Sequence, residues 1–265
     1  MKLHSTNAFV IYAKKMNEAD LLLGYVTEDY GRITCFANNA RKSRKRFLGK
    51  LEPAMLTKIK FYEKPGMTID ILYEVELVED YKNIRKDIDA YLFISKIIEI
   101  SRVLCQERDK NKNIFKLIRS VYSGLNGITD ARGMNNINTI LLKYEIYFIS
   151  HLLRYNGIFP NFTSCTACSC ANRHNNFYFS LKKGGVVCKD CAESEVRRGN
   201  QWDLKGIPVN FINLSELMSG SDISITNKLV VSDEILRECL LFLGNFLSFH
   251  TGNKLNYTGL NIQGV

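Results

Sequence analysis

The sequence predicts an α+β chain in which a small five-stranded barrel is followed by an all-helical domain with a four-cysteine ribbon inserted in it. Three observations carry this reading. Apolar residues recur with period two from Asn7 to about Asp80, the period becomes 3.6 from about Ile84, and two Cys-x-x-Cys pairs interrupt the helical pattern. The expected boundaries are 1–80 for the barrel, 81–265 for the helical domain and 161–195 for the insertion.

Five strands are expected in the first region. Phe9 to Tyr12 opens one, Asp20 to Thr27 gives a second, and Gly31 to Phe36 follows a turn at Asp29-Tyr30-Gly31. In the fourth, Met55, Ile59 and Phe61 alternate with Lys58 and Lys60. In the fifth, Ile69, Ile71, Tyr73, Val75 and Leu77 alternate with Asp70, Glu74 and Glu76. If Pro65-Gly66 turns this last hairpin, the odd-numbered apolar residues share a face only when paired numbers sum to an even value. Five short antiparallel strands in so few residues fit the oligonucleotide-binding fold, with an SH3-like barrel as the structural rival.

Between the third and fourth strands runs Ala40-Arg41-Lys42-Ser43-Arg44-Lys45-Arg46-Phe47-Leu48-Gly49-Lys50, with six basic residues and no acid. Such a run can be a plain solvated loop. Placed beside Lys58 and Lys60, it makes a track for an anionic chain, so Arg41, Lys42, Arg44, Lys45, Arg46, Lys50, Lys58 and Lys60 are the candidate phosphate contacts. Phe36 and Phe47 are nearby aromatics, able to stack on a base or to pack inward.

The helical region is expected to open with a helix whose face carries Ile88, Leu92, Ser95, Ile98 and Leu104. A shorter helix follows from Ile114 to Leu125, stopped at Gly127, with a polar stretch to Asn136. A long one places Ile137, Ile140, Leu141, Tyr144, Phe148, Leu152 and Tyr155 on a face and closes at Gly157. Ser232 begins the last helix, with Asp233 and Glu234 in its first turn, Leu236, Leu240, Leu243 and Leu247 on one side, and Gly252 at its end. This apolar helix is expected to pack against the long one.

Cys165-Thr-Ala-Cys168 and Cys188-Lys-Asp-Cys191 are separated by 19 residues, a spacing that encloses one tetrahedral metal. Thiolate is a soft ligand, and zinc takes four of them, so Cys165, Cys168, Cys188 and Cys191 predict one structural zinc with no open position. Cys170 and His174 are close enough to replace one of the first pair. Phe177 to Leu181 and Gly184-Gly185-Val186-Val187 supply a hairpin between the pairs.

Charge and absent motifs narrow the function. A net charge of +9 and a pI near 9.1 favour an anionic partner. Cys35, Cys105 and Cys239 fall singly in apolar segments and read as buried free thiols of a reducing cytoplasm. There is no secretory apolar region after Met1 and no apolar run near 18 residues, so neither export nor a membrane is expected. Gly49-Lys50 is followed by Leu51, which excludes a phosphate-binding P-loop and with it a nucleotide cofactor of that kind. None of His4, His151, His174 or His250 starts the His-x-Glu arm of a zinc deaminase. His151 and His250 read as capping or surface residues at helix ends. No catalytic residue is assigned, and the chain is not expected to be an enzyme.

Four segments, in order and spacing, carry a resemblance: Met16-Asn17-Glu18-Ala19-Asp20, Thr27-Glu28-Asp29-Tyr30-Gly31-Arg32, Ala40 to Arg44, and Leu51-Glu52-Pro53. With the helical region and the four-cysteine insertion, the chain resembles the RecO family of bacterial recombination and repair mediators. It departs at Ser169, where a glycine is usual, and only loosely matches the family's C-terminal ending at Thr251 to Tyr257. The resemblance implies binding to single- and double-stranded DNA and annealing of complementary strands. It also implies association with RecR and single-strand-binding protein, and loading of recombinase in the cytoplasm at the nucleoid. The alternative is a zinc-ribbon scaffold that binds proteins and whose basic loop is not a DNA site. An enzyme acting on nucleic acid is a third reading.

Overall fold

The structure, a computed structural model, describes residues 1–64, 66–130, 137–171, 177–198, 204–206, 209–220 and 222–252. The chain divides into two compact units, Met1–Leu141 and Leu142–Val265.

In the first unit, β1 (Lys2–Lys15), β2 (Leu21–Thr27), β3 (Gly31–Ala37), β4 (Met55–Glu63) and β5 (Ile69–Asp80) close into a barrel of order β1-β2-β3-β5-β4. All pairings are antiparallel except β3 with β5. The alternation explains the closure: Val10, Leu23, Tyr25, Ile33, Cys35, Ile59 and Phe61 point inward and are buried together. The loop between β3 and β4 adds Ala40 and Phe47 to that core. Phe47 is therefore a core residue, and its ring is not available to stack on a base.

The fifth strand corrects an expectation. Ile59 faces Val75 and Lys60 faces Glu74, pairs with even sums, but the register then slips so that Phe61 faces Leu72 and Tyr62 faces Ile71. A bulge at Tyr73 absorbs the extra residue and exchanges the two faces beyond it. Asp70 and Leu72 consequently point inward, while Ile69 and Tyr73 are 41% and 46% exposed, outside the barrel where core positions were expected. Pro65 lies outside the described residues.

The unit extends past Asp80 because the outer side of β1 is also apolar. Phe9 lies 6.5 Å from the Tyr81 ring, 5.2 Å from Phe115 and 4.9 Å from Tyr122. These rings bring α3 (Lys112–Asp130) against the strand, beside α1 (Lys82–Lys86) and α2 (Ile88–Leu104). The buried residues of α2 are Ala90, Phe93, Ile94, Ile97, Ile98, Ile100, Ser101 and Leu104; of the expected face Ile98 and Leu104 are buried, whereas Ile88, Leu92 and Ser95 are exposed, so the buried face is centred elsewhere on the helix. Helix α3 continues through Gly127 rather than stopping there, since a glycine with open space around it lowers helix stability without ending the helix.

A strap between α2 and α3 is tied to the barrel. Arg108 donates to both carboxylate oxygens of the buried Asp70 at 2.9 and 2.8 Å, and its own N–H donates to the Arg32 carbonyl. Burial pushes the Asp70 carboxyl up, and the guanidinium pulls against that rise. Gly31 is required here, because a Cβ would meet the Asp109 carbonyl oxygen at 2.0 Å and its φ is +67°.

Helix α4 (Ile137–Tyr155) spans the division between the units and ends as expected at Gly157, where the Gly157 and Ile158 N–H groups close on Arg154 and Leu153. His151 is buried within it, 4.1 Å from the Tyr147 ring and bonded to the Tyr147 carbonyl at 3.0 Å, so it is neither a cap nor a surface residue. In the second unit, β6 (Phe177–Ser180) and β7 (Gly185–Cys188) form the expected hairpin, and β8 (Leu204–Gly206) joins the far side of β6. The same unit holds α5 (Lys189–Arg197), α6 (Val209–Gly220), α7 (Ile223–Lys228) and α8 (Asp233–Thr251), with α5 against the hairpin and α6 against α8. The buried stripe of α8 is the expected one, and its Phe242 and Phe246 pack on Phe179 of β6 at 4.6 and 5.9 Å. Among the described residues, no helix is long and apolar enough to cross a membrane.

Candidate metal centre and nucleic-acid interface

The cysteine group is assembled by backbone pairing before any ligation. The Cys165 N–H donates to the Cys170 carbonyl and the Ser169 N–H to the Cys165 carbonyl, both at 2.8 Å, while Ser164 bridges Ala171. This folds Cys165 to Cys170 into one tight turn. Thr166 N–H then donates to the Val186 carbonyl at 2.8 Å, laying the turn on β7 and carrying Cys165 to Cys188. Cys188 ends β7, and Cys191 stands in the first turn of α5. The second pair thus straddles a strand-to-helix junction.

The sulfurs of Cys165, Cys168, Cys170 and Cys188 lie within 4.8 Å of one another, a group arranged to hold a metal ion. Cys191 is outside that foursome, yet its thiol interacts with those of Cys188, Cys168 and Cys165 and packs on the same small cluster. The turn read from Cys-x-x-Cys spacing is present, and Cys170 belongs to it as well. The signal for it was the extended string Cys-x-x-Cys-x-Cys. His174 lies outside the described residues.

The donors suit a thiophilic cation. Four sulfurs at about 2.3 Å from one centre stand about 3.8 Å apart, and Cys168 Sγ lies 3.7 Å from Cys188 Sγ. Burial raises the Cys165 thiol, but N–H groups of Cys188, Cys168 and Ala167 outweigh it and hold the thiol at about 6. The Cys168 thiolate pushes Cys170 up to about 12, and burial with neighbouring thiols pushes Cys191 up. A metal cation held there would favour the thiolate form of these sulfurs.

At the barrel, two of the resemblance segments meet. Asp20 accepts the Asn39 N–H at 2.7 Å, the Arg41 N–H donates to the Ala19 carbonyl at 2.9 Å, and Arg41 Nη1 donates to the Glu18 carbonyl at 2.9 Å. The β1–β2 turn therefore holds the start of the basic loop. Arg46 reaches the carbonyls of Tyr73 and Asn38, and Lys50 those of Val75 and Lys45. Lys42, Arg44 and Lys45 are exposed, with no ion pair among the described residues. Lys58 is exposed too, whereas Lys60 is bound by Glu74 at 2.9 Å and Glu76 at 3.3 Å, which hold it more firmly protonated than usual.

Beside this loop the barrel exterior carries a row that periodicity missed. Leu22 pairs with Phe36, Phe36 with Ile71, and Ile71 with Tyr62, all half-buried and outward across four strands. Tyr73 extends it, 5.6 Å from the Tyr62 ring. At the barrel's end, a cleft of about 540 Å³ is lined by Lys2, His4, Tyr30, Glu63, Arg108 and Lys110. His4 there bonds both Tyr30 and Glu63, at 3.0 and 2.8 Å.

Comparison with known proteins gives the lineage. Residues 1–81 match the family model described as recombination protein O N terminal, and residues 85–258 match recombination protein O C terminal. The chain belongs to the recombination protein O family. Relatives named DNA repair protein RecO include that of Desulforamulus reducens, 26% identical over 97% of this chain and 93% of the relative. That of Caldanaerobacter subterraneus subsp. tengcongensis is 31% identical over 73% of each chain. That of Thermodesulfovibrio yellowstonii is 25% identical over 98% of each. Membership makes this a protein of DNA repair and recombination.

Proposed function

We propose that the chain binds single- and double-stranded DNA and anneals complementary strands as a repair mediator, with the basic loop and the outer aromatic row as its interface. The observation that carries this is their adjacency on one barrel. Arg46 ties the loop to the Tyr73 carbonyl, so exposed cations sit next to the exposed Tyr73 ring and the half-buried row behind it. Cations track phosphates, rings accept unstacked bases, and neither reads sequence. We take the barrel as an oligonucleotide-binding fold, supported by its five-strand closed order with one parallel pair. Lys42, Arg44, Lys45 and Lys58 are the freest phosphate contacts; Arg41, Arg46 and Lys50 combine contact with anchoring, and Lys60 contributes least because two carboxylates offset it.

The same reading gives one structural zinc in the cysteine insertion, with RecR and single-strand-binding protein as partners in loading recombinase at the nucleoid in the cytoplasm. It keeps a barrel over 1–80 and a helical domain over 81–265 with the insertion at 161–195; the family models, meeting between residues 81 and 85, support that boundary. No catalytic step is assigned to any residue. Annealing needs no hydrolysis, because duplex formation runs downhill by about 1.4 kcal/mol per base-pair step. The test mixes complementary fluorescent oligonucleotides with the protein and no nucleotide. Acceleration that fades at high salt is expected, and a rate equal to the protein-free control would reject annealing. The scaffold alternative draws on Arg41, Arg46 and Lys50 being bonded to carbonyls. It requires that both DNA forms fail to bind.

A further inference from the structure

Five thiols stand where a tetrahedral metal accepts four. Cys165, Cys168 and Cys188 belong to the compact foursome that Cys170 completes. Cys191 interacts with the same three. Two tetrads therefore share three sulfurs and differ only in the fourth. The two alternatives come from different elements: Cys170 is pinned by the backbone bond between Cys165 and Cys170, and Cys191 by the first turn of α5. Neither has to unfold its element to approach the shared triangle.

We propose that Cys170 and Cys191 are interchangeable fourth ligands of one metal, so that the loaded protein always keeps one spare thiol beside the ion, open to modification by an electrophile. The inference rests on the zinc reading above and deepens it. Zinc has no geometric preference from d electrons, so the choice between tetrads is set by the protein, and both satisfy four-sulfur coordination. Cys170 is exposed and Cys191 half-exposed, so a reagent can reach whichever is released. Cys35, Cys105 and Cys239 are buried and give no competing signal in the folded chain. With iodoacetamide, the released sulfur attacks the methylene carbon, iodide leaves, and the thiol proton goes to solvent.

The experiment uses the full chain loaded with zinc. Wild type is expected to hold one zinc per chain; a metal-free wild type would reject the zinc reading itself. Given one zinc, Cys170→Ser and Cys191→Ser should each still hold one, and cobalt substituted for zinc should give the four-sulfur spectrum in both. The double variant should bind at least tenfold more weakly. Loss of the metal in either single variant would overturn the exchange by fixing that thiol as a ligand, as would full retention in the double variant. Wild type needs no mutation: brief alkylation and peptide mass spectrometry should find one modified thiol per loaded chain, divided between Cys170 and Cys191. Modification confined to one of them would overturn the proposal.

Discussion

The barrel and the cysteine insertion hold themselves together by different means. The barrel closes around a core of more than a dozen buried residues in which apolar side chains from every strand meet. The insertion's own cluster is Cys165, Val187 and Ala192, with Phe177, Cys188 and Cys191 at its margin. Hydrophobic burial scales with area, so the first suffices alone, whereas for the second the proposed metal ligation would offset the entropy of ordering its turns. The region that needs no cofactor is also the one that presents the proposed DNA surface.

Removing metal is the strongest way to break this contrast. Structural zinc contributes about 10–16 kcal/mol of apparent folding energy in small zinc units, so chelation or Cys188→Ser should unfold the insertion. Hydrogen exchange should report lost protection over Phe177 to Cys188 and unchanged protection in the barrel. Uniform loss would mean the two regions do not differ as described.

Two phenylalanines sharpen the contrast within the barrel. Phe47 is 2% exposed inside the core, so Phe47→Ala should cost about 3–5 kcal/mol in denaturant unfolding. Phe36 is half-buried in the outward row, so Phe36→Ala should cost clearly less stability than Phe47→Ala. It should instead weaken single-strand binding by about 1–3 kcal/mol, the worth of one stacked base. Reversed outcomes would exchange the roles of core and platform.

The smallest effect concerns the turn that carries the thiols. Ser169 adopts a left-handed φ of +61°, which glycine accepts without the crowding of a Cβ. Ser169→Gly should leave the zinc-loaded protein as stable or raise its stability by up to about 1 kcal/mol in thermal unfolding. A clear loss would show that the serine side chain supports the turn.

Much of this was legible in the sequence because it depends on local pattern. The change of period from two to 3.6, the helix ends at Gly157 and Gly252, and the stripe of Leu236, Leu240, Leu243 and Leu247 are written in neighbouring residues. The bulge at Tyr73 was not read from the sequence: the apolar run Ile71-Leu72-Tyr73 interrupts the alternation there, but the slip itself is decided by pairing with β4. It turned Tyr73 and Ile71 from expected core into exterior. Helix α2 misled for a related reason: it is rich in isoleucine, and its partners decided which stripe was buried. In the candidate site, the basic loop stood out by composition, but the division between anchoring and free cations depended on carbonyls distant in sequence. The role of Cys170 was obscured because its sulfur is placed by hydrogen bonds within the turn.

On the proposed reading the barrel's exposed loop cations neutralise DNA phosphates, and the salt dependence of binding reports that neutralisation. Titration of single-stranded and duplex DNA at several salt concentrations should compare wild type with Lys42→Ala/Arg44→Ala/Lys45→Ala. The log–log slope should flatten by about 0.7 per lost contact on single strands and about 0.9 on duplex, roughly two to three units for the triple variant, equally for unrelated sequences. A slope unchanged on both DNA forms would contradict the account and place the phosphate contacts elsewhere in the chain.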